Sequence, residues 1–515
     1  MHFLLDPILT FIHGDGLIIL PHLELLLFAL GILLFDFLLE PAEKSWNAGL
    51  ALIAVAAGAV GLFLQAQRYS EIQFRAPSAT GESPVLFGFH QTVVVDGFSL
   101  LFSALFLCAT GLAILLSIRY LQLQGRQAGE YYSLLLCACI GMLLMVSAID
   151  LVVLLLGLEL MTISLYILSG FLVSELSSNE ASIKFFLLGG FSTAVITYGF
   201  SLLYGLSGGY TDIREIAFNL DRRFQLTSAR GLTDWLVVLA FVCIVAGLFG
   251  KVAAVPFHQW FPDVAHGAPT PVSLYIGVAG LSAAVAVFVR LVLVVFGGSQ
   301  PTWAYAVAAV ALVTLVWGNL AALSQRNLKR LLAYATIANV GFLLFALVAA
   351  NLTGLVAIAW SLFSNLFATA GIFAILLIVS GGKDNSAGEE LDDLNGLYQR
   401  SPMAAILLLL FAASLAGFPP TAGFLAKYFL VQSLIESDHP VLAGLLALGI
   451  LPFVYSAFRI VQHAWIKHPA PSAETAPPVI TLVQTVALTI AAFVTLVAGC
   501  YPEPFTRLAR YAFGQ

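Results

Sequence analysis

Four ionisable side chains stand in stretches of this 515-residue sequence that are otherwise almost free of charge. Glu159 lies in "LVVLLLGLELMTISLYIL", Lys184 in "NEASIKFFLLGG", Lys251 at the end of "WLVVLAFVCIVAGLFGK", and Lys427 in "MAAILLLLFAASLAGFPPTAGFLAKYFLVQSLI". A lysine at the centre of an apolar crossing costs about 2.5–3.5 kcal/mol on insertion scales. It therefore implies a partner, a wet cavity or neutralisation. The chemistry that fits is proton carriage: an ammonium taken out of water holds its proton less tightly, and a nearby carboxylate restores the hold. Glu159 is placed to modulate Lys251 in that way. Lys427 is followed by eight uncharged residues before Glu436, so snorkelling to water is not its easy exit. Lys184 opens its apolar run, and by position alone reads as an interfacial snorkeller.

Other polar residues carry less. Arg290 comes late in an apolar run and reads as reaching the outer interface. Glu24 and Asp36 suit a subunit contact or a cavity. Asp150 stands at a run boundary and reads as solvated. His258 and His266, separated by Pro262, make a weak metal pair and read as loop histidines. The five cysteines, Cys108, Cys137, Cys139, Cys243 and Cys500, read as packing residues in or beside apolar runs. No phosphate-cradling glycine loop, paired CxxC or GxSxG is present.

The elements that must hold the four residues follow from composition. The chain is 60% hydrophobic and 10% charged, against roughly 25% charge in soluble domains, and its mean hydropathy is +0.97. That implies an all-α polytopic membrane protein. The net charge of −6 gives no nucleic-acid signal. A crossing needs about 20 apolar residues, which yields about 14 transmembrane helices, centred near residues 28, 56, 108, 140, 162, 195, 245, 284, 312, 341, 366, 418, 450 and 489. Runs of this length argue against a barrel. Residues 1–43 hold no Lys or Arg, so the sequence lacks the positive region of a cleavable signal peptide.

Connections on alternating sides differ in charge. Those after spans 1, 3, 9, 11 and 13 carry Lys44; Arg119 and Arg126; Arg326, Lys329 and Arg330; Lys383 and Arg400; and Lys467. The short connections after spans 4, 8, 10 and 12 carry none. The positive-inside rule makes the first group cytoplasmic, with both termini periplasmic. The polar stretch Gly381 to Arg400 reads as a cytoplasmic loop.

Span 12 is too long for one straight crossing, and "GFPPTAG" in its middle predicts two half-helices. Span 7 is interrupted too, by Lys251 and then Pro256. Two lysine-bearing broken spans lie five apart, so they cross in opposite directions, as inverted repeats would. The expected organisation is helices 1–3 in 1–130, a first five-helix repeat (helices 4–8) in 131–297, its inverted copy (helices 9–13) in 298–468, and helix 14 in 469–515.

"VPFHQWFPDVAHGAPTPVS" (255–273), "LSQRNLKRLLAYATIANVGFLL" (323–344), "EASIKFFLLGG" (180–190) and "SLAGFPPTAGFLAKYFLV" (414–431) resemble the antiporter-like membrane subunits of respiratory complex I, the NADH:quinone oxidoreductase. Within them they look more like the N type than L or M. The resemblance covers nearly the whole chain. It implies shared ancestry with Mrp-type cation/proton antiporters, a bacterial inner-membrane location, and the other membrane-arm subunits as partners. NADH, FMN, iron–sulfur clusters and quinone would belong to partner subunits, with no cofactor in this chain. It also implies that Glu159, Lys184, Lys251 and Lys427 are the fifth-, sixth-, seventh- and twelfth-span proton-translocating residues.

Two positions depart from the family pattern. Leu281 stands where a central eighth-span lysine is usual, and Asn339 where a tenth-span histidine is common. Either waters held by Ser282, Tyr275 and Asn339 bridge Lys251 to Lys427, or the relay is weak. Two other functions fit parts of the sequence: the equivalent subunit of an Mrp-type antiporter or membrane-bound hydrogenase, and a membrane-arm scaffold without its own proton path.

Overall fold

The computed structural model describes residues 14–40, 43–75, 85–126, 128–226, 232–381, 389–468 and 480–514. Lys383 and the first 13 residues lie outside them. The helices, in chain order, are α1 (Asp15–Asp36), α2 (Trp46–Arg75), α3 (Gly97–Gln124), α4 (Gly129–Ser147), α5 (Leu151–Ser169), α6 (Leu176–Ser207), α7 (Ile213–Leu226), α8 (Leu232–Lys251), α9 (Trp260–Gly267), α10 (Thr270–Tyr275) and α11 (Leu281–Val295). A π-helical turn, Ile276–Gly280, joins α10 to α11. Then follow α12 (Gln300–Ser324), α13 (Leu328–Ala349), α14 (Leu352–Val379), α15 (Leu397–Arg400), α16 (Pro402–Ala416), α17 (Ala422–Glu436), α18 (Pro440–Trp465), α19 (Leu482–Cys500) and α20 (Glu503–Ala512). One small hairpin, β1 (Leu86–Gly88) against antiparallel β2 (Val93–Val95), precedes α3.

Among the described residues, 12 helices are long and apolar enough to cross a membrane. The shorter α8 and the α16–α17 pair complete the expected fourteen crossings. Helices prevail because nothing in hydrocarbon can satisfy a bare peptide group. Their ends are fixed by local sequence. Asp150, partly exposed at its run boundary, caps α5, accepting from Val152 N at 2.8 Å and Val153 N at 3.2 Å. Asn327 and Asn351 cap α13 and α14 in the same way. The middle of the bundle is formed by α10–α11, α13 and α14, the most enclosed crossings. Around it, α1, α2, α18 and α19 leave much apolar surface bare.

Arg290 is held by a carboxylate partner. It is buried, and its Nη2 lies 2.9 and 2.8 Å from the two carboxylate oxygens of Asp96, which also caps α3. Its guanidinium sits 4.5 Å from the centre of the Phe98 ring.

Candidate functional site

Both expected breaks are present, and in each the freed backbone finds partners. α8 stops at Lys251. Ala253 adopts φ +55°, and Ala254 N reaches back to Phe249 O at 2.8 Å, a Schellman-type close. Val255 N donates to Thr314 Oγ1 at 3.1 Å, and Trp260 Nε1 to Gly250 O at 2.8 Å. α16 ends at Ala416 with Gly417 at φ +83° and Phe418 N on Ala413 O at 2.9 Å. Gly423, in the first turn of α17, packs so close to α16 that a Cβ there would overlap Ser414 O. Irregular backbone survives at membrane depth only with such internal satisfaction.

Lys251 is buried in a small cavity beside Thr162, Leu165, Phe185, Trp260 and Leu281. About 20 Å³ of it is open to the centre of a water molecule, enough for roughly one water. The ammonium lies 3.4 Å from Tyr166 Oη. Tyr166 is set by an edge contact with Phe185, whose ring stacks on Trp260 at 4.5 Å. Glu159, Thr162 and Tyr166 share one side of α5 because they are three and seven apart. Glu159 lies on the side of α5 that presents Tyr166 to Lys251. It forms no direct ion pair among the described residues, and its Oε1 is buried without a hydrogen-bond partner. Thr162 lines the Lys251 cavity, and its hydroxyl donates to Glu159 O at 3.3 Å.

Lys427 occupies a second cavity, with Asn339, Ser361, Ser364, Asn365 and Ser414 in its wall. Again about 20 Å³ is open to a water centre. Its ammonium donates to Leu415 O and Ala416 O, both at 2.8 Å, and lies 4.1 Å from the Phe453 ring centre. Those carbonyls are the negative end of half-helix α16. Among the described residues no carboxylate lies within 4.0 Å of either buried lysine.

Lys184 joins neither cavity. It is partly exposed and pairs with Glu180 at 2.6 Å and Asp263 at 2.7 Å. Asp263 also holds Arg330 at 3.0 Å. Beside this cluster is a group that hydropathy could not single out. Lys329, at the start of α13, is buried against Glu389 at 2.7 Å and donates to Ala268 O at 3.3 Å. Glu389 also accepts from Asn327. Lys329 and Glu389 both fall in connections when the sequence is read locally.

The waters expected to bridge the two lysines lose most of their anchors. Tyr275 turns its hydroxyl to Thr110 Oγ1 at 2.8 Å and towards Leu135 O. Ser282 donates to Val278 O in its own turn. Only Asn339 faces a lysine cavity.

Residues 148–451 match a family model described as NADH:quinone oxidoreductase/Mrp antiporter, TM. The chain is 39% identical over 510 residues to the NADH-quinone oxidoreductase subunit N 2 of Solibacter usitatus, covering 98% of this chain and 99% of that one. Its fold is similar to a chain of respiratory complex I from Thermus thermophilus with bound aureothin, at TM-score 0.75 and 28% identity, covering 95% of this chain and 99% of that one. It is also similar to a chain of the membrane-bound sulfane sulfur reductase, an archaeal respiratory membrane complex, at TM-score 0.81 and 21% identity over 96% of each chain. That second likeness concerns fold alone.

Proposed function

This chain belongs to the NADH:quinone oxidoreductase/Mrp antiporter family of membrane subunits, and on that premise we propose that it is the antiporter-like, proton-translocating N-type subunit of an NADH:quinone oxidoreductase. It is a multi-pass membrane subunit working among the other membrane-arm subunits. The redox chemistry of NADH, flavin, iron–sulfur clusters and quinone takes place in partner chains, and this chain contributes proton movement.

The observation that carries this reading is the pair of buried lysines at the two helix breaks, each in a cavity with room for about one water. Each carrier has a different tuner. Lys251 responds to Glu159 through the Thr162–Tyr166 side of α5. When a change in the neighbouring arm draws the carboxylate's influence away, the ammonium releases its proton. Lys427 has carbonyl oxygens and aromatic faces in place of a carboxylate. Lys184 acts from the rim through Asp263.

The inverted repeat belongs to the same proposal. Close packing supports it: a Cβ on Gly141 would strike α5 at Met161 N, and one on Gly318 would strike α13 at Ala338 N, so spans 4–5 and 9–10 meet through glycine in matching positions. The scaffold alternative draws on Leu281 and Asn339.

An affinity tag on this chain tests the assignment. Solubilised membranes are expected to yield a complex that oxidises NADH and reduces quinone. A tagged chain that co-purifies only with antiporter subunits, without NADH oxidation, contradicts it.

A further inference from the structure

An apolar septum lies where the chain just after Lys251 meets α13, the helix whose Asn339 lines the Lys427 cavity. Its wall includes Val252, next to Lys251, and Val340, next to Asn339, together with Val285, Phe288, Leu344 and Ile358, and it has no polar side chain. Water placed there would lack the two to four polar partners it needs. The contact between these two segments offers a proton no polar station.

A different wall of the Lys427 cavity is polar, and polar positions continue from it along α13 and α14. On α13, Lys329, Ala333, Thr336 and Asn339 fall on one side, spaced by four, three and three residues. Only the small Ala333 interrupts the polar positions. α14 runs back beside α13 and carries Ser361, Ser364 and Asn365 in the same cavity wall. Thr369, closer to the rim, donates to Asn365 Oδ1 at 3.2 Å. At about 1.5 Å per residue, Thr336 and Thr369 lie between the cavity and the rim ends of their helices. At that rim sits the buried Lys329–Glu389 pair, with His266 and Asp263 nearby.

The geometry points to Lys427 exchanging protons with the rim at the Lys329–Glu389 pair, along the seam between α13 and α14, and not with Lys251 across the bundle. This rests on Lys427 being a proton carrier. Glu389 exchanges with bulk water at the rim. The hydroxyl of Thr369 accepts one proton while donating another to Asn365, and Asn339 and Asn365 hold the intervening water; the Thr336 hydroxyl donates to Leu332 O at 2.9 Å in its own helix and contributes a polar oxygen to the wall of the seam. The charge that arrives on Lys427 is the charge that left the rim, so no co-reactant is required.

Cysteine reactivity in the assembled complex tests the seam, because a thiol reacts as thiolate and therefore needs water. In a background with the five native cysteines replaced, Thr336→Cys and Thr369→Cys are expected to react with methyl methanethiosulfonate at least about tenfold faster than Leu344→Cys in the septum. Two seam positions guard against one variant failing to assemble. Unreactive seam cysteines overturn the proposal while leaving Lys427 as a carrier. So does a Leu344→Cys that reacts as fast as they do. Reactive seam cysteines combined with normal pumping by Lys427→Met overturn it through the carrier reading, so the two failures are distinct. Thr369→Val, which keeps shape and removes the hydroxyl that donates to Asn365, is expected to lower the proton-to-electron ratio with NADH oxidation retained.

Discussion

Lys427 closes the end of a helix to which it does not belong: its ammonium is 2.8 Å from Ala416 O, the last carbonyl of α16, although Lys427 itself lies in the second turn of α17. Lys427 is thereby fastened to the break. A proton leaving Lys427 takes with it the positive charge that offsets the α16 dipole, so protonation and the fit of the two half-helices are linked.

The close approach of the half-helices is the first thing to test. Gly423→Ala places a Cβ against Ser414 O, and overpacking of this kind costs about 1–3 kcal/mol. The expected result is less assembled complex on native gels. Gly444→Ala, where a Cβ meets nothing within 4 Å, should assemble normally.

Tyr166→Phe removes the hydroxyl beside Lys251 and keeps the ring packed on Phe185. A hydrogen bond to a charged group is worth about 1.5–3 kcal/mol, and this one is long at 3.4 Å. Proton transfer should slow by up to roughly tenfold, with assembly unchanged. Proton uptake measured against NADH oxidation in vesicles checks this, and an unaltered ratio and rate would remove Tyr166 from the path.

Breaking one side of the Arg290–Asp96 pair strands the other charge. Such losses run to about 3–5 kcal/mol for fully buried pairs, and less here because Asp96 is partly exposed. Arg290→Ala should reduce the amount of subunit in the membrane. The double change Arg290→Gln with Asp96→Asn should recover part of it, as read by immunoblot.

Orientation follows from the charge asymmetry of the connections. Alkaline phosphatase fused after Gln515 should be active, and green fluorescent protein inserted between Gly381 and Glu389 should fluoresce. The reverse pattern would invert the arrangement.

Hydropathy carried the fold well, because each crossing is a local property of about 20 residues. All fourteen crossings stand where the apolar runs lie, and Pro256 and "GFPPTAG" marked both breaks. What escaped was pairing between distant segments. Asp96 and Arg290 are 194 positions apart, and Lys184 meets Asp263 across 79. Glu389 looks like any loop acid until α13 packs over it. The direction of Tyr275 was equally hidden, since an aromatic hydroxyl takes whichever partner the bundle offers.

The central claim is that Lys427 carries a proton, and one measurement addresses it most directly: the proton-to-electron ratio of the assembled complex bearing Lys427→Met, reconstituted in liposomes and driven by NADH. Methionine keeps much of the length and removes the charge, and its loss of two carbonyl hydrogen bonds is tolerable if assembly is verified on the same sample. The account predicts a lowered ratio with NADH oxidation intact. A normal ratio alongside intact oxidation would contradict it and leave this subunit a scaffold.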